Sequence, residues 1–145
     1  MTAPDSDGAT RCMRAALTDA KINASDVGYI NAHGTSTPVG DKNETVAINH
    51  TFTSSISDLL VSSTKSMTGH LLGGAGGLES VFTVLSIFND VVPPTINLDF
   101  PDEECNLDYC ANEARDKKIN FALKNNFGFG GTNGSLIFKK IGVDL

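Results

Sequence analysis

Apolar and polar residues along this chain recur with two different periods, and the changes of period mark out its elements. Near the start, Ala9, Cys12, Met13, Ala16, Leu17 and Ala20 return at helical spacing, while Arg11, Arg14, Thr18 and Lys21 fill the other face. That pattern predicts an amphipathic helix from about Gly8 to Asn23. Val27 to Ala32 reads as a short strand leading directly into His33-Gly34-Thr35-Ser36-Thr37-Pro38. Asp41 and Glu44 have capping-box spacing, so a helix is expected from there through Val46 and Ile48 to about Phe52. A second strand, Leu59 to Ser63, runs into Thr64-Lys65-Ser66-Met67-Thr68-Gly69-His70.

A long helix should follow from about Leu71 to Asn89, with apolar residues on more than one face, as for a helix enclosed by other elements. Gly73, Gly74, Gly76 and Gly77 each disfavour helix by up to about 1 kcal/mol relative to alanine. Close approach of another backbone would offset that cost, so a buried, tightly packed helix start beside the site is expected. Pro93-Pro94 closes the region, and an extended, turn-rich stretch runs from Thr95 to about Ala114. Ile119, Phe121 and Leu123 alternate as a strand, and Leu136 to Phe138 form its partner beyond a glycine-rich loop at 125–134. Helix, strand, helix, strand, long helix and a strand pair make an α/β layer pattern with no internal repeat and no dividing linker.

With 145 residues the chain suits one domain with a real core. Eleven basic residues against seventeen acidic ones give a net charge of −6, which argues against a nucleic-acid surface or an anionic membrane patch. Three cysteines, Cys12, Cys105 and Cys110, form no paired framework and fit a reducing compartment. The first residues have neither a basic nor an apolar leader segment, and the apolar run 71–88 is broken by glycines and Glu79, so no membrane span is expected. A cytoplasmic location follows, with an organellar matrix as the alternative if a longer precursor carries a transit peptide.

The glycine loops do not read as nucleotide sites. Gly128-x-Gly130 is followed by Asn133 where a dinucleotide fingerprint needs its third glycine, and then by a strand in place of a helix. Three scattered histidines offer no zinc cluster. His33 and His70 carry a sharper signal, because each follows a strand and each meets glycine in a polar loop. Were the two strands parallel neighbours, both histidines would open onto one crevice. Two neutral imidazoles can each donate a hydrogen bond to one carbonyl oxygen and so stabilise an enolate. His50, inside a helix, reads as structural or surface.

Lys65 is either an ordinary solvated lysine or a charge set beside that crevice and paired with an acid. Glu79 is the candidate partner, since an acid within an apolar helix is costly unless it is paired or its face reaches water. No cysteine has a clear claim to be an activated nucleophile.

Four ordered blocks then carry a resemblance over essentially the whole chain, from Thr2-Ala3-Pro4 to about Ile141. They are Asn31-Ala-His-Gly-Thr-Ser-Thr-Pro-Val-Gly-Asp-Lys42, Ser63-Thr-Lys-Ser-Met-Thr-Gly-His-Leu-Leu-Gly73, Val92-Pro-Pro-Thr-Ile-Asn-Leu98 and Asn126-Phe-Gly-Phe-Gly-Gly-Thr-Asn-Gly-Ser-Leu-Ile-Phe-Lys-Lys140. The chain resembles the C-terminal half of the β-ketoacyl-acyl carrier protein synthases, most closely their type II elongating members. The resemblance implies half of a thiolase-like layered α/β fold, a mixed β-sheet packed against helices, occupying residues 2–141 with a tail at 142–145. It implies decarboxylative condensation of malonyl-acyl carrier protein with an acyl thioester in fatty-acid elongation. No cofactor or metal is implied; the substrates ride on the phosphopantetheine arm of acyl carrier protein.

By the same resemblance, His33 and His70 hold the malonyl thioester carbonyl, Lys65 is the active-site lysine and Glu79 its acidic partner. Thr35 and Thr37 contact the phosphopantetheine arm, Phe127 is a gate whose backbone N–H serves an oxyanion hole, and Phe129 belongs to the substrate-binding loop. The family commonly has Asn-Ser-Phe where this chain has Asn125-Asn126-Phe127, a change expected to alter loop hydrogen bonds. The reactive cysteine and most of the family's dimer surface belong to an N-terminal half absent from this sequence. The expected partners are therefore acyl carrier protein, that half and a second copy, and the isolated chain is expected to be inactive. A polyketide ketosynthase and a non-catalytic half-fold scaffold are the alternatives.

Overall fold

The computed structural model describes residues 6–143, built on a four-stranded mixed sheet. The elements in chain order are α1 (Ser6–Ala20), β1 (Val27–Asn31), α2 (Pro38–Phe52), β2 (Leu60–Ser62), α3 (Lys65–Thr68), α4 (Ala75–Asn89), β3 (Val91–Val92), β4 (Arg115–Asp116), β5 (Phe121–Phe127) and β6 (Asn133–Lys139). The strand order is β2-β1-β5-β6. β1 runs parallel to both β2 and β5, while β5 and β6 form an antiparallel pair. The segment Thr2-Ala3-Pro4, where the resemblance begins, lies outside the described residues.

Side chains leave successive strand residues on opposite faces, and this divides the core in two. Ile30, Val61 and Leu123 pack against Met13 and Leu17 of α1 and Ala47, Ile48 and Phe52 of α2. On the reverse face, Tyr29 and Ala122 pack with Ile87 of α4, Val92, Cys110 and Ile119. The helical stripe read from the N-terminal sequence is the one buried, through Ala9, Met13 and Leu17.

Several elements differ from their sequence reading. α2 begins at Pro38, three residues before the expected start, with Thr37 at its N-cap. Proline fits the first turn because its missing N–H would have no helical partner there. Glu44 is thereby moved from a cap into the buried interior of α2. The long helix is split: a 3₁₀ turn spans Leu72–Gly74 and α4 proper starts at Ala75. A short helix, α3, forms directly after β2, and the two-residue strands β3 and β4 pair antiparallel.

The expectation of an enclosed, tightly packed α4 is corrected. The residues leading into it, 71–74, are exposed, and a Cβ added to Gly73 or Gly77 would meet nothing within 4 Å. At Gly74 the added Cβ would make ordinary contact with Leu71 Cβ at 3.7 Å, and at Gly76 it would stand a tight 3.0 Å from Asn126 Oδ1. The stripe that α4 turns to the sheet is Ala75, Glu79, Thr83, Ser86 and Ile87. Val81, Val84, Leu85 and Phe88 face outward, with Phe88 77% exposed. The helix packs a largely polar stripe inward because a charge cluster, described below, takes up its glutamate.

Candidate active site

The C-terminal ends of β1 and β2 deliver the two sequence-predicted histidines to one crevice. β1 and β2 are aligned through Asn31 and Ser62, so the loops leaving them begin side by side. The His33 and His70 rings lie edge to face, with centroids 5.4 Å apart and planes at 86°. The Phe127 ring stands 6.1 Å from His33. This convergence is the parallel-neighbour geometry that the strand-end reading required.

Each histidine is held by its surroundings. Oε1 of buried Glu44 accepts the backbone N–H of His33, and Oε2 accepts that of Gly34, both at 2.9 Å. Gly34 has a φ of +33°, and a Cβ there would stand 2.7 Å from Ser63 Cβ, so the turn admits no side chain. Ser63 Oγ closes the junction by donating to the Gly34 carbonyl at 2.6 Å. His70 Nδ1 accepts the Leu72 N–H at 3.1 Å, so in the neutral ring Nε2 carries the proton. His70 itself is exposed, whereas His33 is half-buried.

Burial, aided by the positive charges of Lys65 and Lys124, lowers the His33 pKa to about 4. The ring is therefore neutral near pH 7, with one N–H to donate and one lone pair to accept. His33 Nδ1 is itself buried and has no hydrogen-bond partner.

Lys65 and Glu79 form a buried ion pair, with side chains 4% and 1% exposed. A solvated Lys65 and a water-facing Glu79, the two bland readings, are both excluded. A third member was not read from the sequence: Lys124 Nζ lies 2.6 Å from Glu79 Oε2 and is equally buried. Asn126 Nδ2 donates to the same Oε2 at 3.3 Å. Burial pushes the Glu79 carboxyl up, but the Lys124 and Lys65 ammonium groups outweigh it and leave its pKa lowered.

Thr35 and Thr37 lie on the loop after His33 with their hydroxyls 3.2 Å apart. They share with His70, Lys65, Ile96 and Cys105 the wall of a cavity of about 540 Å³. Asp41 braces this loop: burial raises its pKa, opposed by the backbone N–H groups of Thr37, Ser36 and Thr35. Phe129 is not brought in; it sits 84% exposed on the turn Phe129–Gly131 and is absent from the cavity wall. His50 is exposed, as its sequence setting suggested.

Cys12 and Cys105 are half-buried and Cys110 is buried, all three as free thiols. Burial raises the Cys110 pKa, and its Sγ contacts the Glu113 carbonyl at 3.2 Å, so it is an inert core group. Among the described residues no three His, Cys, Asp or Glu side chains are grouped to hold a metal ion. Among them too, no helix is long and apolar enough to cross a membrane.

Two histidines facing each other at adjacent strand ends, backed by a buried lysine–glutamate pair, can be placed among known proteins. The profile described as the C-terminal domain of beta-ketoacyl synthase matches residues 1–99. The chain belongs to the β-ketoacyl synthase family.

The 3-oxoacyl-[acyl-carrier-protein] synthase 2 of Staphylococcus aureus strain COL is 56% identical over 138 residues, covering 95% of this chain and 33% of that protein. The synthase of the same name from Coxiella burnetii is 54% identical over 138 residues, with the same coverage of both chains. Among solved structures, a type II polyketide ketosynthase in complex with its acyl-carrier protein superposes with a TM-score of 0.92 at 42% identity, covering 99% of this chain and 35% of that one. The chain thus spans about a third of the length of the β-ketoacyl synthases it matches, and the layered α/β half-fold expected from the resemblance is the one observed.

Proposed function

We propose that residues 2–141 are the histidine-bearing C-terminal part of a β-ketoacyl-acyl carrier protein synthase of fatty-acid elongation. The observation that carries this reading is the edge-to-face pair His33 and His70, with His33 held neutral by burial and by adjacent positive charge. In the reaction, an acyl group waits as a thioester on a cysteine supplied from outside these residues. Malonyl-acyl carrier protein docks with its thioester carbonyl oxygen between the two imidazoles, each donating one N–H. As the carboxylate leaves as CO₂, its electron pair moves through the α-carbon toward that oxygen, and both hydrogen bonds strengthen with the growing charge. The enolate carbon then bonds to the acyl carbonyl carbon, the cysteine thiolate departs, and 3-oxoacyl-acyl carrier protein is released.

In this reading Lys65 and Glu79 set the potential behind the histidines, and Thr35 and Thr37 line the groove for the phosphopantetheine arm. Phe127 stands at the entrance and offers its backbone N–H to the acyl thioester oxygen, while exposed Phe129 takes part only once the rest of the enzyme folds over it. A carrier-protein partner is supported by the complex in which the related polyketide ketosynthase was solved. A fatty-acid rather than a polyketide role is supported by 56% identity to a 3-oxoacyl-[acyl-carrier-protein] synthase 2 against 42% to the polyketide ketosynthase. A homodimer completed by the cysteine-bearing half accords with the outward apolar face of α4, and a cytoplasmic location accords with the three free thiols. Joining this chain to its cysteine-bearing segment and supplying carboxyl-labelled malonyl-acyl carrier protein tests the reading. Labelled CO₂ with 3-oxoacyl product supports it; a folded, acylated assembly that releases none overturns it.

A further inference from the structure

The second buried lysine of the charge cluster has no part in the motifs that revealed the histidines, and the geometry assigns it one. Lys124 sits in the middle of β5, on the same face as Ala122 and Asn126, the face that α4 covers. Its side chain is only 1% exposed and its ammonium reaches Glu79 Oε2 at 2.6 Å, while Lys65 takes Oε1 of the same carboxylate. Lys124 also donates to the Asn125 carbonyl, and Asn126 adds a neutral donor to Oε2. Two ammonium groups thus share one carboxylate, and a buried cluster with uneven charge is costly wherever it serves packing alone.

We propose that Lys124 is a positioning residue of the histidine site: in register with Asn31, two residues before His33, it takes half of Glu79 and leaves the buried triad with a net positive charge that acts on His33. The inference rests on the condensing reading for its purpose, since that reading uses His33 as a neutral imidazole donating one N–H, but its geometry stands apart from that reading. Lys65, Lys124 and His70 lower the His33 pKa and Glu79 raises it, while the Glu44 carboxylate, 2.9 Å from the His33 backbone nitrogen, adds a second negative group beside it. Those acting on Lys124 are Glu79, Lys65 and Glu44. Burial lowers the Lys124 pKa to about 8, which leaves it mostly charged at pH 7.

The test is an imidazole NMR titration of His33 in the wild-type chain, in Lys124→Met, which keeps the length and loses the charge, and in Lys124→Arg, which keeps the charge and changes the shape. The inference expects the His33 pKa to rise by about one pH unit in Lys124→Met, the scale of one nearby charge at protein-like dielectric. It expects Lys124→Arg to stay near the wild-type value. An unchanged pKa in Lys124→Met, or an equal shift in both variants, overturns it, because a packing role would make the bulkier arginine the worse substitution. Should neither variant fold, the His33 titration in Lys124→Gln decides: a rise of the same size supports the proposal, and an unchanged pKa overturns it. None of these readouts depends on turnover, so a silent histidine titration refutes the role of Lys124 while the CO₂ assay separately judges the condensing reading.

Discussion

Glu44 holds His33 by its backbone: one carboxylate oxygen accepts the His33 N–H and the other the Gly34 N–H, both at 2.9 Å. Asn125 Nδ2 donates to Oε1 as well, at 3.2 Å. The carboxylate thereby ties the turn after β1 to the interior of α2 and to β5, and the direction of the imidazole depends on that tie. Glu44→Gln replaces one acceptor oxygen with an NH₂ donor facing a backbone donor. The variant should lose about 1–3 kcal/mol of stability, the usual cost of a buried unsatisfied group. Urea denaturation measures it, and a loss below about 0.5 kcal/mol would show that the turn holds itself without the carboxylate.

In the complete enzyme, His33→Ala and His70→Ala should each lower malonyl decarboxylation by about 10²–10³-fold, the effect of removing one donor from an oxyanion site. Transfer of the acyl group to the cysteine should suffer much less, because in the proposed reaction the histidine pair acts on the malonyl thioester. Separate assays of the two half-reactions decide the matter. Equal losses in both, from a folded variant, would contradict the division of roles.

Stability should fall as the solution is acidified from about pH 6.5 toward pH 4. His33 has its folded pKa lowered to about 4 from an ordinary 6.5, with burial the main cause. Over that window the unfolded chain takes up a proton that the folded chain refuses, so stability rises with pH across it and is lost on the way down. His33→Asn should flatten that part of the curve of unfolding free energy against pH. Glu79, whose pKa is lowered in the fold by Lys124 and Lys65 against the effect of burial, adds a separate loss below its ordinary carboxylate range. Persistence of the full slope between pH 6.5 and 4 in the asparagine variant would assign it to other groups.

The 145-residue chain alone should form no condensation product from acyl and malonyl carrier proteins. Cys110 is buried with a raised pKa, while Cys12 lies on α1 and Cys105 on the wall of the cavity. Intact-mass analysis after exposure to an acyl thioester, followed by an assay for product, checks this. Stoichiometric acylation of one cysteine coupled to turnover would overturn it, whereas labelling without product would report thiol reactivity alone.

The chain should also self-associate at micromolar concentration. Val81, Val84, Leu85 and Phe88 line the outer face of α4, and Leu71 and Leu72 are exposed just before it. Bare apolar patches beyond a few hundred Å² are uncommon on monomers. Sedimentation across a concentration series should show a rising average mass, reduced in Leu85→Glu. A strictly monomeric wild-type chain at tens of micromolar would refute the expectation.

Local pattern sufficed for much of this molecule. Period-two alternation and helical stripes announced α1, β1, α2, β2 and the β5–β6 pair, because each buries one face and that face must repeat at the element's own period. The histidines were legible for a related reason: a polar, glycine-bearing loop after a strand marks a crevice before any contact is known. The pairing of Lys65 with Glu79 followed from the cost of burying either alone.

What tertiary structure decided was which of two faces each element turns inward. In β5 the sequence places Phe121 and Leu123 on one side and Ala122, Lys124 and Asn126 on the other, a pattern that by itself sends Lys124 to water. The crossing of α4 over that side buries the lysine and gives it Glu79. α4 makes the same point in reverse, since its apolar residues suggest burial all round, yet the sheet takes Glu79, Thr83 and Ser86 and leaves Val81, Val84, Leu85 and Phe88 outside. Periodicity measures how strongly an element separates its faces. Which face is enclosed depends on charges and partners from distant parts of the chain, and only the assembled layers bring Lys65, Glu79 and Lys124 within reach of one another.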